Sequence, residues 1–174
     1  MKRAFLVMGE ANSGNRMMRK AFMAAGCYGD TVKGIQIADL QRGNLPDTIV
    51  IARSGPNGEH IPDFIALAQA CIDAGYTVTP VMIWRKSDFA LAGHCQHYGL
   101  THQQALHYRE TITFLAYELA CWLKTPLVVV PYEPFVTSKE IRDLFFRQFG
   151  LNPPAMEFYN ANEKYLLTNP PLAY

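Results

Sequence analysis

Apolar residues are not spread evenly along the chain but gather into short unbroken runs separated by longer segments of mixed character. Four runs stand apart: AFLVM (Ala4 to Met8), TIVIA (Thr48 to Ala52), VTPVMIW (Val78 to Trp84) and PLVVVPY (Pro126 to Tyr132). Their apolar character is continuous rather than alternating, and three of them are rich in β-branched residues. Each therefore predicts a strand buried on both faces.

The intervening segments carry a helical period. Asn15 to Ala25 is rich in good helix formers and stops at Gly26, a residue suited to the left-handed position that closes a helix. Pro62 to Ala74 places Ile65, Leu67, Ala68, Cys71 and Ile72 in an apolar stripe before Gly75. Thr101 to Gln104 reads THQQ, a capping box, and opens a helix with Ala105, Tyr108, Ile112, Leu115, Leu119 and Trp122 on one face, running to Lys124. A last helix is predicted from Ser138 to Phe149, closed by Gly150.

Strand alternating with helix four times over predicts right-handed crossovers and an α/β fold, a three-layer sandwich with a mostly parallel central sheet. At 174 residues the chain fits a single domain, 1–174, with the proline-bearing segment 151–174 as a C-terminal extension packed on it. In such sheets ligands gather beyond the carboxyl ends of the strands. The loops that follow the strands are therefore where the chemistry is sought.

The loop after the first strand is GEANSGNR, Gly9 to Arg16. It joins a buried strand to a helix whose first-turn N–H groups have no partner within the helix, which suits an anion. The spacing of Gly9 and Gly14 matches the phosphate-binding loop GxxxxGK[ST] as far as its second glycine. Asn15 and Arg16 then stand where a nucleoside triphosphatase has its lysine and its magnesium-binding hydroxyl. Hydrolysis of ATP or GTP is disfavoured on that ground, whereas transfer of a group that needs an anion cradle and no magnesium ligand fits. The plain structural alternative is a tight strand-to-helix turn with Ser13 as the helix cap.

At this point the sequence resembles the sulfotransferase family, P-loop-like enzymes that use 3′-phosphoadenylyl sulfate. VMGEANSGNRMMRKAFMAAGCYGD follows the bacterial pattern of strand, G-x-x-R-S-G-T-S-x-L, helix and a closing G-V-x-x-G-D-like turn, through Gly9, Ser13, Gly14 and Gly26 to Asp30. TVTPVMIWRKSDFALAG is similar to the family's 3′-phosphate strand and loop, with Arg85 at the arginine position. THQQALHYRETITFLAYELA and LVVVPYEPFVTSKEIRDLFFRQFGL resemble the long helix, the V-x-Y-E-D-L segment and the later F-L-G-L close. The likeness covers most of residues 1 to 151.

The resemblance implies a P-loop NTPase-like fold and transfer of a sulfuryl group to a hydroxyl acceptor, on a small molecule or a glycan. It implies that Gly9, Asn12, Ser13, Gly14, Asn15 and Arg16 cradle the 5′-phosphosulfate and that Arg85 meets the 3′-phosphate. Asn12 stands where the family has a basic residue, Asn15 and Arg16 where it has threonines, and Gly93 where it has the 3′-phosphate serine. The Tyr132–Glu133 pair, ending the fourth strand, corresponds to an architectural pair. Two other readings are weighed beside this one: a nucleotide or small-molecule kinase with a degenerate loop, and a non-catalytic binding module that keeps the fold.

Sulfuryl transfer needs a base for the acceptor hydroxyl and cations or N–H groups for the leaving oxygen. ARSGPNGEHIPDF follows the second strand, so Glu59 or His60 is the candidate base and Arg53 a candidate anion contact; the alternative is a solvated loop with an acid near a helix start. The stretch HCQHYGLTHQQALH brings His94, Cys95, His97, His102 and His107 close in sequence. No spacing there completes a zinc set, so polar lining of an acceptor pocket is expected instead of a metal centre.

Composition sets the outer limits. A net charge of +1 gives no nucleic-acid footprint. Four widely spaced cysteines without CxxC point to reduced thiols and a cytoplasmic setting. Ala4 to Met8 is too short for the core of a signal peptide, and no run reaches a membrane span.

Overall fold

The computed structural model describes residues 1–10, 13–30, 34–55 and 61–162, with only the backbone of His97. Four strands, β1 (Lys2–Gly9), β2 (Thr48–Ser54), β3 (Tyr76–Trp84) and β4 (Val128–Pro131), form one sheet in the order β2-β1-β3-β4. Every neighbouring pair is parallel. On its outer side β2 gains a single parallel rung, in which Tyr28 N donates to the Thr48 carbonyl and Val50 N to the Tyr28 carbonyl, both at 2.9 Å.

Continuous apolar runs are explained by what covers the two faces. Ala4, Leu6 and Met8 share one core with Ile49, Ile51, Val78 and Met82, covered by α2 (Ile37–Gln41), α3 (Phe64–Asp73) and α5 (His102–Leu123). Phe5 and Val7 share the other with Val50, Val81, Ile83 and Val130, covered by α1 (Asn15–Ala24), α6 (Tyr132–Thr137) and α7 (Lys139–Gln148). The fold is thus α/β, with an all-parallel sheet between two helical layers. Residues 151–162 pack on the second core through Leu151, Met156, Phe158 and Ala161.

The helix punctuation acts as its chemistry predicts. Thr101 Oγ1 accepts from Gln104 N at 3.2 Å while Gln104 Oε1 accepts from Thr101 N at 2.9 Å. Gly26 closes α1 at φ 101°, with Cys27 N bonded back to the Phe22 carbonyl at 2.9 Å.

Three expectations are corrected. Tyr132 and Glu133 do not end the fourth strand; they open α6, because Pro134 fits a first helical turn and β4 pairs with β3 only from Val128 to Pro131. Ser87 to Tyr98 is a helix, α4, closed by Gly99 at φ 65°, where a loop was read. Ile72 and Trp122 face solvent, and Phe64, Ala116 and Ala120 occupy the buried stripes instead.

The faces on which successive helices lie fix the position of the candidate site. From β1 the chain passes first into α1 on the Phe5 face and reaches β2 only after α2 on the Leu6 face, whereas from β2 to β3 and from β3 to β4 its core-covering helices α3 and α5 lie on the Leu6 face. The neighbours β1 and β3 therefore send their following segments to opposite faces, and in sheets wound this way the carboxyl ends of such a pair are where a ligand crevice is expected.

Candidate functional site

Seven polar or charged residues are buried among those described: Glu10, Ser13, Asn15, Arg85, His94, Arg109 and Asn162. They come from the β1–α1 turn, the segment after β3, α4, α5 and the C-terminal segment. Their contacts gather them at the crevice between β1 and β3.

The turn is built around two glycines. A Cβ on Gly9 would lie 2.4 Å from Ser13 Oγ and 2.7 Å from Asn15 Oδ1, so only glycine lets these side chains fold back over the strand end. Gly14 caps α1 at φ 108°, and a Cβ there would meet Tyr132 Cε2 at 2.8 Å. Asn15 Nδ2 donates to the carbonyls of Gly9 (2.9 Å) and Glu10 (3.3 Å) and to Ser54 Oγ (2.9 Å). Ser13 is not the helix cap; no side chain caps α1, and Ser13 Oγ and Asn15 Oδ1 are buried without a hydrogen bond among the described residues. Arg16 is exposed on the first turn of α1.

The charged part of the cluster lies beside the turn. Arg85 is 2% exposed; its Nε donates to Asn162 Oδ1 at 2.7 Å, Nη2 reaches the same oxygen, and its guanidinium sits 4.7 Å over the Tyr132 ring. Arg109 Nη1 donates to Glu10 Oε1 at 3.1 Å, its Nη2 to the Arg85 carbonyl at 2.9 Å, and its guanidinium lies 4.1 Å over Trp84. His94 Nε2 is 3.7 Å from Glu10 Oε2. Burial pushes the Glu10 carboxyl from 4.5 up to about 7, against the opposing pull of Arg109 and then Arg85.

Glu133 Oε1 accepts from Lys86 N at 3.1 Å and from Asn162 Nδ2 at 2.9 Å, tying the start of α4 to the C-terminal segment. Two guanidinium groups and two carboxylates thus share one network: Arg109 meets Glu10 directly, and Arg85 is linked to Glu133 through Asn162.

Of the residues singled out in the sequence, Gly9, Ser13, Gly14, Asn15 and Arg85 are brought together here, and Arg16 is exposed on the first turn of α1. Asn12, Glu59 and His60 lie outside the described residues. Arg53 points elsewhere: its Nη1 donates to the Ala52 carbonyl at 3.0 Å and its Nη2 to the Ile35 carbonyl, closing residues 34–35 onto β2. His102 and His107 are exposed on α5, and among the described residues no group of three or more His, Cys, Asp or Glu is placed to hold a metal ion.

Glu10, Arg109 and Asn162 were not singled out. For Arg109 a signal was present, since it stands four residues after Ala105 and three before Ile112, inside the apolar stripe of α5. A charge at such a position calls for a buried partner. Neither a protein-family model, nor a curated protein, nor a solved structure matches the chain.

Proposed function

We propose that this protein is sulfotransferase-like and moves a sulfuryl group from 3′-phosphoadenylyl sulfate to a hydroxyl acceptor. The observation that carries the reading is the first turn of α1, without a side-chain cap among the described residues and entered through Gly14 in the left-handed conformation, at the point where the sheet reverses its winding. First-turn N–H groups at that position suit the 5′-phosphosulfate. Arg85, just past the end of the adjoining strand, is the residue assigned to the 3′-phosphate.

In the reaction the acceptor oxygen forms a bond to sulfur as the bond from sulfur to the bridging phosphate oxygen breaks. The leaving group is 3′,5′-adenosine bisphosphate, and the acceptor proton passes to a base, for which Glu59 and His60 remain the residues assigned. The turn N–H groups and the arginines act by holding charge that develops on the bridging oxygen.

One observation favours a second reading, a binding module without transfer: Asn15 turns its amide onto the Gly9 and Glu10 carbonyls and so fills the inside of the turn. Calorimetry with 3′,5′-adenosine bisphosphate tests both readings. Saturable binding, weakened by Arg85→Lys, supports them; absence of heat at millimolar ligand removes them. Appearance of a sulfated product from a panel of hydroxyl acceptors then separates the enzyme from the module.

A further inference from the structure

Beside the crevice, on the outer side of α5, lies a cleft of about 450 Å³. Its walls are Trp84, Leu106, Phe114 and Tyr117; Arg109 lines it, and Glu110 is the acid beside it. Phe114 and Tyr117 are 68% and 57% exposed, on a helix whose opposite stripe is already buried in the core. Apolar rings at a cleft with a buried cation match a ligand that has both an apolar surface and a negative charge.

We propose that this cleft binds an organic anion bearing an apolar ring, with Arg109 holding the anionic group and Glu10 serving as the internal anion that the ligand displaces. Arg109 belongs to both places: it lines the cleft and donates to Glu10 Oε1 at 3.1 Å. The ring stacks among the cleft aromatics while the charge exchanges with the Glu10 carboxylate. The second oxygen of that carboxylate, Oε2, makes no hydrogen bond among the described residues and faces His94 Nε2 at 3.7 Å, so Arg109 supplies the one described side-chain hydrogen bond to the carboxylate.

The described charged and titratable groups around Glu10 are Arg109 from α5, Arg85 after β3 and His94 from α4. Once the ligand supplies the counter-charge, a displaced Glu10 is stabilised in its protonated form, and the anion binds together with a proton. Glu110, on the cleft wall, favours a monoanion over a dianion. The proposal does not depend on sulfuryl transfer.

The test is calorimetry of the full chain with naphthalene-2-sulfonate and with the neutral 2-naphthalenemethanol. The sulfonate is expected to bind at least several-fold tighter than the alcohol, and Tyr117→Ala, at an exposed position, to weaken it. Because Glu10 titrates at about 7, wild-type affinity is expected to fall about tenfold from pH 6 to pH 8, with uptake of close to one proton per anion at the higher pH. Glu10→Gln should hold its pH 6 affinity at pH 8. Equal binding of alcohol and sulfonate, binding unchanged by Tyr117→Ala, or an unaltered pH profile in Glu10→Gln overturns the proposal. Should Glu10→Gln fail to fold, proton uptake by the wild type in buffers of different ionisation enthalpy decides it, and its absence counts against the proposal.

Discussion

Arg109, near the middle of α5, donates to Glu10 at the carboxyl end of β1 across 3.1 Å, joining positions 99 residues apart in sequence. Through its other terminal nitrogen it also holds the carbonyl of Arg85. One side chain therefore spans the crevice and ties both of its strand ends to the helical layer on the Leu6 face. The carboxylate it meets is buried, and that sets the first prediction.

Glu10 carries its proton to about pH 7 in the fold, against an ordinary value of 4.5. The folded state binds this proton more tightly than the unfolded chain does, so the associated stability is fully present below pH 4.5 and is lost as pH rises through 7. At about 1.4 kcal/mol per pH unit the loss amounts to about 3 kcal/mol. Urea unfolding across this window is expected to show the decline in wild type and a flatter profile in Glu10→Gln. A profile identical in the two proteins would show that Glu10 does not titrate there.

Gly14 and Gly26 separate backbone strain from steric overlap. Both have left-handed φ, 108° and 101°, but a Cβ on Gly14 would meet Tyr132 Cε2 at 2.8 Å, whereas one on Gly26 meets nothing within 4 Å. Gly26→Ala is expected to cost about 1–2 kcal/mol from conformation alone. Gly14→Ala should add about 1–3 kcal/mol for overpacking. In thermal melts the difference reads as a lower midpoint for Gly14→Ala, by about 2–4 °C per kcal/mol in a chain of this size. Equal melting points would mean that Tyr132 moves aside freely.

The ring cluster under α1 gives the largest expected loss. Phe22 is fully buried, with ring centroids 4.7 Å from Phe5, 5.2 Å from Phe146 and 5.8 Å from Phe145. Phe22→Ala is expected to cost about 3–5 kcal/mol, through lost burial and the cavity left behind. Leu144→Ala on α7, at a residue 67% exposed, should stay within about 0.5 kcal/mol. Chemical denaturation of the two variants measures both, and a comparable loss for Leu144 would place α7 differently.

How much of this was legible in the sequence depended on whether the signal was local. The four strands could be read because each is covered on both faces and so is apolar throughout, and the α5 start because Thr101 and Gln104 satisfy each other's backbone. Helix α4 was missed: Ser87 to Tyr98 carries Gly93, His94, Cys95 and His97 among its apolar residues, and His94 is buried by tertiary contacts that no periodicity announces. The Gly9 to Gly14 turn declared itself through its glycines. Glu10, Arg109 and Asn162 come from positions far apart in sequence, and only the winding of the sheet brings them together. Tyr132 turned helical because proline chemistry outweighed the β-like run before it.

Asn15 offers the sharpest probe of the turn. Its amide nitrogen donates to three acceptors, the Gly9 and Glu10 carbonyls and Ser54 Oγ, adding to the backbone bonds that Gly9 O accepts from Gly55 N and Glu10 O from Ser13 N. Asn15→Ala removes that donor group while both carbonyls keep a backbone partner, and it is expected to cost about 0.5–1.5 kcal/mol. Asn15→Asp keeps the shape but replaces a donor with an oxygen facing two carbonyl oxygens. Its carboxylate form is therefore disfavoured in the fold, its pKa should rise, and the variant should lose stability as pH increases from 5 to 8, beyond any change in Asn15→Ala. Parallel urea titrations at the two pH values read the effect. If Asn15→Asp matches wild type at pH 8, the turn is held by something other than the Asn15 amide.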